Sequence, residues 1–208
     1  FIDRFLVSAE AYSIKTILLF NKIDAYDDDI ISEVKYLASI YRKIGYQCIG
    51  ISAKTGKNVE KVKQLMIDNV SIFTGHSGVG KSTLINAIES GLNLKTKEIS
   101  EQHKQGQHTT TFAEMFDLSF EAQIIDTPGI KGFGVVDMEP SEIDNYFPEL
   151  FALKQGCKFN NCLHLHEPQC AVKSALENNQ IAASRYKSYI QIWEGDEEHY
   201  RTDNYEPK

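Results

Sequence analysis

Gly75-His76-Ser77-Gly78-Val79-Gly80-Lys81-Ser82 stands near the middle of the chain, between the apolar run 70–74 and a helical pattern from Lys81 to about Glu89. Strand, Gly-x4-Gly-Lys-Ser, helix is the context in which this spacing cradles a phosphate chain. Glycines let backbone N–H groups curl around phosphate oxygens with no Cβ in the way. The helix N-terminus behind them adds partial positive charge. Lys81 is expected to meet the β- and γ-phosphates and the Ser82 hydroxyl to coordinate Mg2+, with Thr83 counted among the nucleotide-binding residues. His76 and Ser77 fall inside the loop, and His76 reads as a solvent-facing spacer rather than a catalytic group.

Working outward toward the N-terminus, Asn21-Lys22-Ile23-Asp24 closes the apolar run 14–20, and Ser52-Ala53-Lys54 closes the run 46–52. Asp24 offers two acceptor oxygens at a strand end. Guanine presents its ring N–H and exocyclic amine side by side, so both can donate to that carboxylate. Adenine presents an acceptor nitrogen there, a mismatch worth roughly several kcal/mol. Asn21 and Lys22 are expected to brace the loops and cover the base, and the Ala53 N–H to donate to the guanine carbonyl. An isolated Asn-Lys-x-Asp is weak evidence; joined to a phosphate loop and Ser-Ala-Lys it is strong.

Toward the C-terminus come His108-Thr109-Thr110-Thr111 and Asp126-Thr127-Pro128-Gly129. Asp126 is expected in the Mg2+ shell and the Gly129 N–H at the γ-phosphate. One of the three threonines is expected to complete the metal shell, Thr110 foremost. Many GTPases carry a glutamine after that glycine to orient water. This chain has Ile130, which cannot hydrogen-bond. His108 is the nearest group able to position the attacking water; packing of the loop or contact with a partner is an equally weighted role. The base-reading loops therefore precede the phosphate loop, reversing the usual order. That is a circular permutation, and it routes the γ-phosphate-sensing loop straight into the C-terminal segment, to which its motion can be passed.

Strands at 14–20, 46–52, 70–74, 111–120 and 121–126 alternate with helices at 29–44, 58–68 and 81–89. The alternation predicts an α/β fold with a mostly parallel sheet and helices on both faces. The polar stretch 93–110 reads as a loop. A boundary near 137–140 divides a GTPase domain (1–138) from a C-terminal domain (139–208). In the latter Ser141 is a candidate helix cap, and 181–194 forms a last amphipathic helix. The 208 residues suffice for a nucleotide-binding core and a small module, and no apolar run reaches membrane-spanning length. A net charge of −7 argues against nonspecific nucleic-acid binding by the chain as a whole, though Lys95, Lys97, His103, Lys104 and His108 form a local basic segment. Phe1 is not a natural start, so the chain reads as a piece of a longer protein.

Cys157-x4-Cys162-x-His164-x5-Cys170 supplies three thiolates and an imidazole, a closed tetrahedral set for Zn2+ that implies structure rather than catalysis. His166 competes with His164 for the nitrogen position, and His164 is favoured. Few apolar residues surround the cluster, so metal binding is expected to contribute folding free energy. Cys48, in the apolar run 46–52, reads as an inert core thiol.

The loop order, Gly106-x-His108-Thr109-Thr110-Thr111, Asp126-Thr127-Pro128-Gly129-Ile130 and the cysteine cluster together resemble the RsgA (YjeQ) family of circularly permuted GTPases, over essentially the whole chain. The resemblance implies an N-terminal OB-fold ahead of Phe1 and binding of GTP or GDP with Mg2+ and Zn2+. It also implies GTP hydrolysis stimulated by the small ribosomal subunit, in late maturation of that subunit. The implied partners are the small subunit, its rRNA and assembly factors, with no membrane, for a cytoplasmic monomer. Gln107 stands where the family often has arginine, which weakens the expected contact of this loop with rRNA. Two readings compete: a permuted GTPase of large-subunit assembly, which lacks the zinc cluster, and a GTP-gated binding module that hardly hydrolyses, motivated by Ile130.

Overall fold

A computed structural model describes residues 1–90, 92, 114–126 and 138–195. The chain divides into two compact units, each with its own core.

The first unit takes in Leu18–Ala38 and Cys48–Lys131, described as far as residue 126. Strands β1 (Ile17–Phe20) and β2 (Gln47–Gly50) form a two-stranded sheet, and β3 (Val70–Ile72), β4 (Glu114–Asp117) and β5 (Gln123–Asp126) form a sheet of order β3-β5-β4. β3 and β5 run parallel, with Ile72 beside Ile125; β4 and β5 run antiparallel, with Phe116 beside Ile124. Two helices supply the apolar stripes that cover this framework. Along α3 (Val59–Met66), Val59, Val62 and Met66 recur at helical spacing and are buried; along α4 (Lys81–Ile88), Leu84, Ile85 and Ile88 do the same. They meet Ile51 and Ile124, themselves 0% and 1% exposed. Because β3 and β5 are parallel neighbours, their C-terminal ends, Ile72 and Asp126, lie at the same sheet edge. That edge is where ligands bind in open α/β sheets.

The second unit takes in Phe1–Ile17, Ser39–Gln47 and, of Gly132–Lys208, the described residues 138–195. It holds α1 (Ile2–Ala11), the end of α2 (Asp28–Lys43), a 3-10 helix (Pro140–Tyr146), α5 (Pro148–Lys154), α6 (Ala171–Glu177) and α7 (Ala183–Trp193). Val7, Phe147, Leu150, Val172 and Tyr189 pack at its centre, with Phe147 and Tyr189 edge to face.

Three local departures from the sequence expectations have visible causes. The first strand begins at Ile17 rather than Ile14, because the Ile14 N–H closes the end of α1 by donating to Ala9 O at 2.8 Å. Ser141 does not cap an α-helix. The element there is a 3-10 helix opened by Pro140, with Glu139 at the cap position. Pro140 is preset for a first helical turn, and Pro148 drives the preceding Phe147 extended (φ −109°, ψ 101°), which stops the turn before it grows. α5 and α6, each seven residues, carry too little periodicity for the sequence to announce them.

Candidate functional site

The loop from Asn21 to Asp24, expected to read a base, is fastened to the loop from Gly75 to Ser82, expected to hold phosphates. Asn21 Nδ2 donates to Val79 O (3.0 Å), and Lys22 Nζ donates to Gly78 O (2.6 Å). Asn21 Oδ1 accepts from the N–H groups of Lys22 (2.8 Å) and Ala53 (3.0 Å), so one side chain ties three loops together. Lys22 sits at φ +67°, a backbone strain that such a loop sustains only when its surroundings fix it. Gly80, at φ +94°, lies so close to Asn21 that a Cβ there would fall 2.5 Å from Nδ2. Only glycine permits this approach.

Ser52 is fully buried, and its Oγ accepts from the Thr55 N–H, which shapes the turn after β2. The Ser52 hydroxyl also holds the exposed Asp24 carboxyl below the ordinary carboxylate range. Asp24 is thus kept as the anion that a paired N–H donor would seek. The Ala53 N–H, expected at a guanine carbonyl, is directed at Asn21 and serves the clamp. Lys54 is exposed beside it. Lys81 Nζ, expected at phosphate oxygens, donates to the carbonyls of Gly75 and His76 (2.9 Å to the latter), and partial burial lowers its pKa. His76, Ser77, Gly78 and Val79 face solvent, and Ser82 and Thr83 open α4. Asp126 ends β5. His108, Thr110, Gly129 and Ile130 lie outside the described residues.

The second chemical feature is the cluster of Cys157, Cys162, His164 and Cys170, whose donor atoms all lie within 4.8 Å of one another. His164 Nδ1 is 3.6 Å from Cys157 Sγ and 3.3 Å from Cys170 Sγ, and those sulfurs are 3.9 Å apart. Around one Zn2+, bonds of about 2.3 Å to sulfur and about 2.0 Å to nitrogen put sulfurs about 3.8 Å apart and sulfur and nitrogen about 3.5 Å apart. The donor set therefore fits a tetrahedral ion. His164 is fully buried in the cluster, whereas His166 is exposed.

Burial works against a thiolate at Cys157, but the amides of Ala171 and Val172 outweigh it and hold that thiol below its usual range. Burial pushes Cys162 up to about 12. Three thiolates this close repel one another, so the set ionises together only around a cation.

Several supports of the cluster carry no signal in the sequence. Glu167 accepts from the N–H groups of Leu163 (2.8 Å), Leu165 (2.9 Å) and His166 (3.1 Å), and despite burial these donors lower its pKa. Tyr186 and Tyr189 donate to the carbonyls of His164 (2.6 Å) and Leu163 (2.7 Å). Together they hold His164 at φ +60°. Asp144 Oδ2 lies 3.3 Å from His164 Nε2 and accepts from Lys154 Nζ at 3.0 Å. Burial raises the Asp144 pKa, but the bonds from His164 and Lys154 outweigh it and leave it lowered. Nothing in local spacing pairs Asp144 with a histidine twenty positions on.

Residues 1–136 match the family model described as RsgA GTPase. A relative from Christiangramia forsetii, named small ribosomal subunit biogenesis GTPase RsgA, is 69% identical across 99% of this chain and 65% of its own length. One from Bacteroides fragilis with the same name is 54% identical, across 95% of this chain and 64% of its own. Among solved structures, YjeQ from Thermotoga maritima aligns with TM-score 0.80 at 38% identity, covering 93% of this chain and 64% of that one. YloQ, described as a circularly permuted GTPase, aligns with TM-score 0.75 at 31% identity, covering 100% and 63%. The chain spans about 63–65% of the length of the first relatives it matches.

Proposed function

The chain belongs to the RsgA GTPase family, with the circularly permuted GTPase fold of its structural neighbours, and from that membership we propose that it binds and hydrolyses GTP in late maturation of the small ribosomal subunit. Hydrolysis is stimulated by that subunit. The observation that carries the nucleotide half of this reading is the clamp: Asn21 and Lys22 hold the base-reading loop against the phosphate loop at 3.0 and 2.6 Å. In this reading the base loops, though first along the chain, join the phosphate loop in one composite site.

In this reading Asp24 pairs with guanine, and Asn21, Lys22, Ser52, Ala53 and Lys54 shape the base pocket. The loop Gly75–Thr83 wraps the phosphates, and Lys81 exchanges its carbonyl partners for phosphate oxygens. Ser82, Thr110 and Asp126 hold Mg2+, Gly129 meets the γ-phosphate, and His108 positions water. Bound Mg2+ neutralises charge that develops on the phosphates. Cys157, Cys162, His164 and Cys170 hold a structural Zn2+, and the chain divides functionally into a GTPase domain over 1–138 and a zinc-binding domain over 139–208. The small subunit's rRNA and assembly factors are its partners, and it works as a cytoplasmic monomer. Among the described residues no helix is long and apolar enough to cross a membrane.

GTP turnover measured alone, with purified small subunits and with large subunits tests the proposal. Strong stimulation by small subunits is expected. Stimulation by large subunits only points to the large-subunit type of permuted GTPase. No turnover in any mixture leaves a GTP-gated binding module, the reading that Ile130 motivates.

A further inference from the structure

The imidazole of His164 stands between two unlike environments. Its Nδ1 faces sulfur at 3.3 and 3.6 Å, while its Nε2 faces the Asp144 carboxylate at 3.3 Å. Asp144 is 6% exposed and His164 0%, so neither can trade this contact for water. Asp144 comes from the 3-10 helix, outside the segment 157–170 that carries the cysteines and His164, and its Oδ1 accepts no hydrogen bond among the described residues. A buried carboxylate aimed at an imidazole N–H fixes the ring's tautomer and orientation and raises the basicity of the other nitrogen.

We propose that Asp144 is the positioning carboxylate of the metal cluster, accepting a hydrogen bond from His164 Nε2–H so that the ring offers its Nδ1 lone pair to a Zn2+ held with Cys157, Cys162 and Cys170. The inference rests on the zinc reading of that cluster. Lys154, which also donates to Asp144 Oδ2, competes for the same oxygen and steadies it without touching the ring. The 3-10 helix stopped by Pro148 is thereby part of the metal site, though it contributes no ligand.

The test uses the 208-residue chain and compares Asp144→Ala, Asp144→Asn and Lys154→Met with the native sequence. Zn2+ affinity is read by competition with a chromophoric chelator, and the ring tautomer by 15N–1H correlation through the imidazole. Asp144→Ala is expected to weaken Zn2+ binding roughly 10- to 100-fold. Asp144→Asn keeps an acceptor oxygen and is expected to lose less. Lys154→Met is expected to stay within about twofold of native, because the contacts it removes, to Asp144, Asn145 and the Phe151 ring, all lie outside the four cluster residues. In the native zinc-loaded chain the proton belongs on Nε2. Unchanged affinity in Asp144→Ala overturns the inference, as does a loss in Lys154→Met equal to that in Asp144→Ala, or a zinc-loaded ring bare of the Nε2 proton. If Asp144→Ala does not fold, the asparagine variant and the native tautomer decide. A native chain that takes up no stoichiometric Zn2+ overturns the zinc reading itself, and this inference with it.

Discussion

At the scale of single residues, Gly78 and Gly80 allow a controlled comparison. Both hold left-handed φ, +81° and +94°, but a Cβ on Gly78 would meet nothing within 4 Å, whereas one on Gly80 would strike Asn21. Gly78→Ala therefore costs backbone strain alone, about 1–2 kcal/mol. Gly80→Ala adds displacement of the amide that links the loops of Val79, Lys22 and Ala53. The expected result is a loss of GDP and GTP affinity in Gly80→Ala at least about tenfold larger than in Gly78→Ala, read by nucleotide titration. Equal losses would show that the clamp has no part in binding. His108 makes a different prediction. His108→Ala is expected to lower turnover while leaving GTP affinity nearly intact, and an unchanged turnover number removes His108 from the mechanism. The phosphate and base loops could be proposed from the sequence because their motifs are local, a few neighbouring positions each. The link between them was legible only as a role, since Asn21 and Val79 are 58 positions apart and no spacing rule names the acceptor.

At the scale of elements, α7 is held by a group that sequence reading passed over. Arg185, 1% exposed, donates to Asp3 Oδ1 from α1 (2.6 Å) and to both oxygens of Glu149 from α5 (2.7 and 3.0 Å). Its guanidinium stacks 4.5 Å over Phe147, and Tyr41 donates to the same Asp3 oxygen at 2.8 Å. An arginine on an otherwise amphipathic helix reads as solvated surface. Only its partners, 36 and 182 positions away, make it interior. The same blindness to distance hid Asp144, whereas the four residues whose donor atoms cluster lie within fourteen positions and form a motif on their own. Arg185→Met leaves two buried carboxylates uncompensated, which costs about 3–5 kcal/mol. A fall in Tm on the order of 10 °C is expected by calorimetry. Arg185→Lys is expected to recover less than half of it, because an ammonium cannot serve a bidentate carboxylate and a second acceptor with one planar fork. Full recovery by lysine would reduce the site to simple charge balance.

At the scale of the whole molecule, the two units have cores that share none of the described residues. One is built on Ile51, Leu84 and Ile124, the other on Phe147, Val172 and Tyr189. The permuted order was legible as motifs in sequence, but the membership of α1 in the same compact unit as the C-terminal helices was not. Its basis is Val7 in the core and Asp3 on Arg185, contacts that no local pattern encodes. Separate cores imply separable responses to metal loss. Structural Zn2+ sites contribute apparent binding energies of about 10–16 kcal/mol, comparable with the whole stability of a domain, about 5–15 kcal/mol. Chelation is therefore expected to unfold the unit that carries Cys157, Cys162, His164 and Cys170. The near-ultraviolet signal of Trp193, partly buried against that core, reports the event. The clamp residues Asn21, Lys22, Ala53, Gly78 and Val79 all belong to the other unit, so GDP affinity is expected to stay within about threefold of its starting value. Re-addition of Zn2+ restores the tryptophan signal. If GDP affinity instead collapses in step with that signal, the two cores fold as one cooperative system, and the metal is then a condition of nucleotide binding.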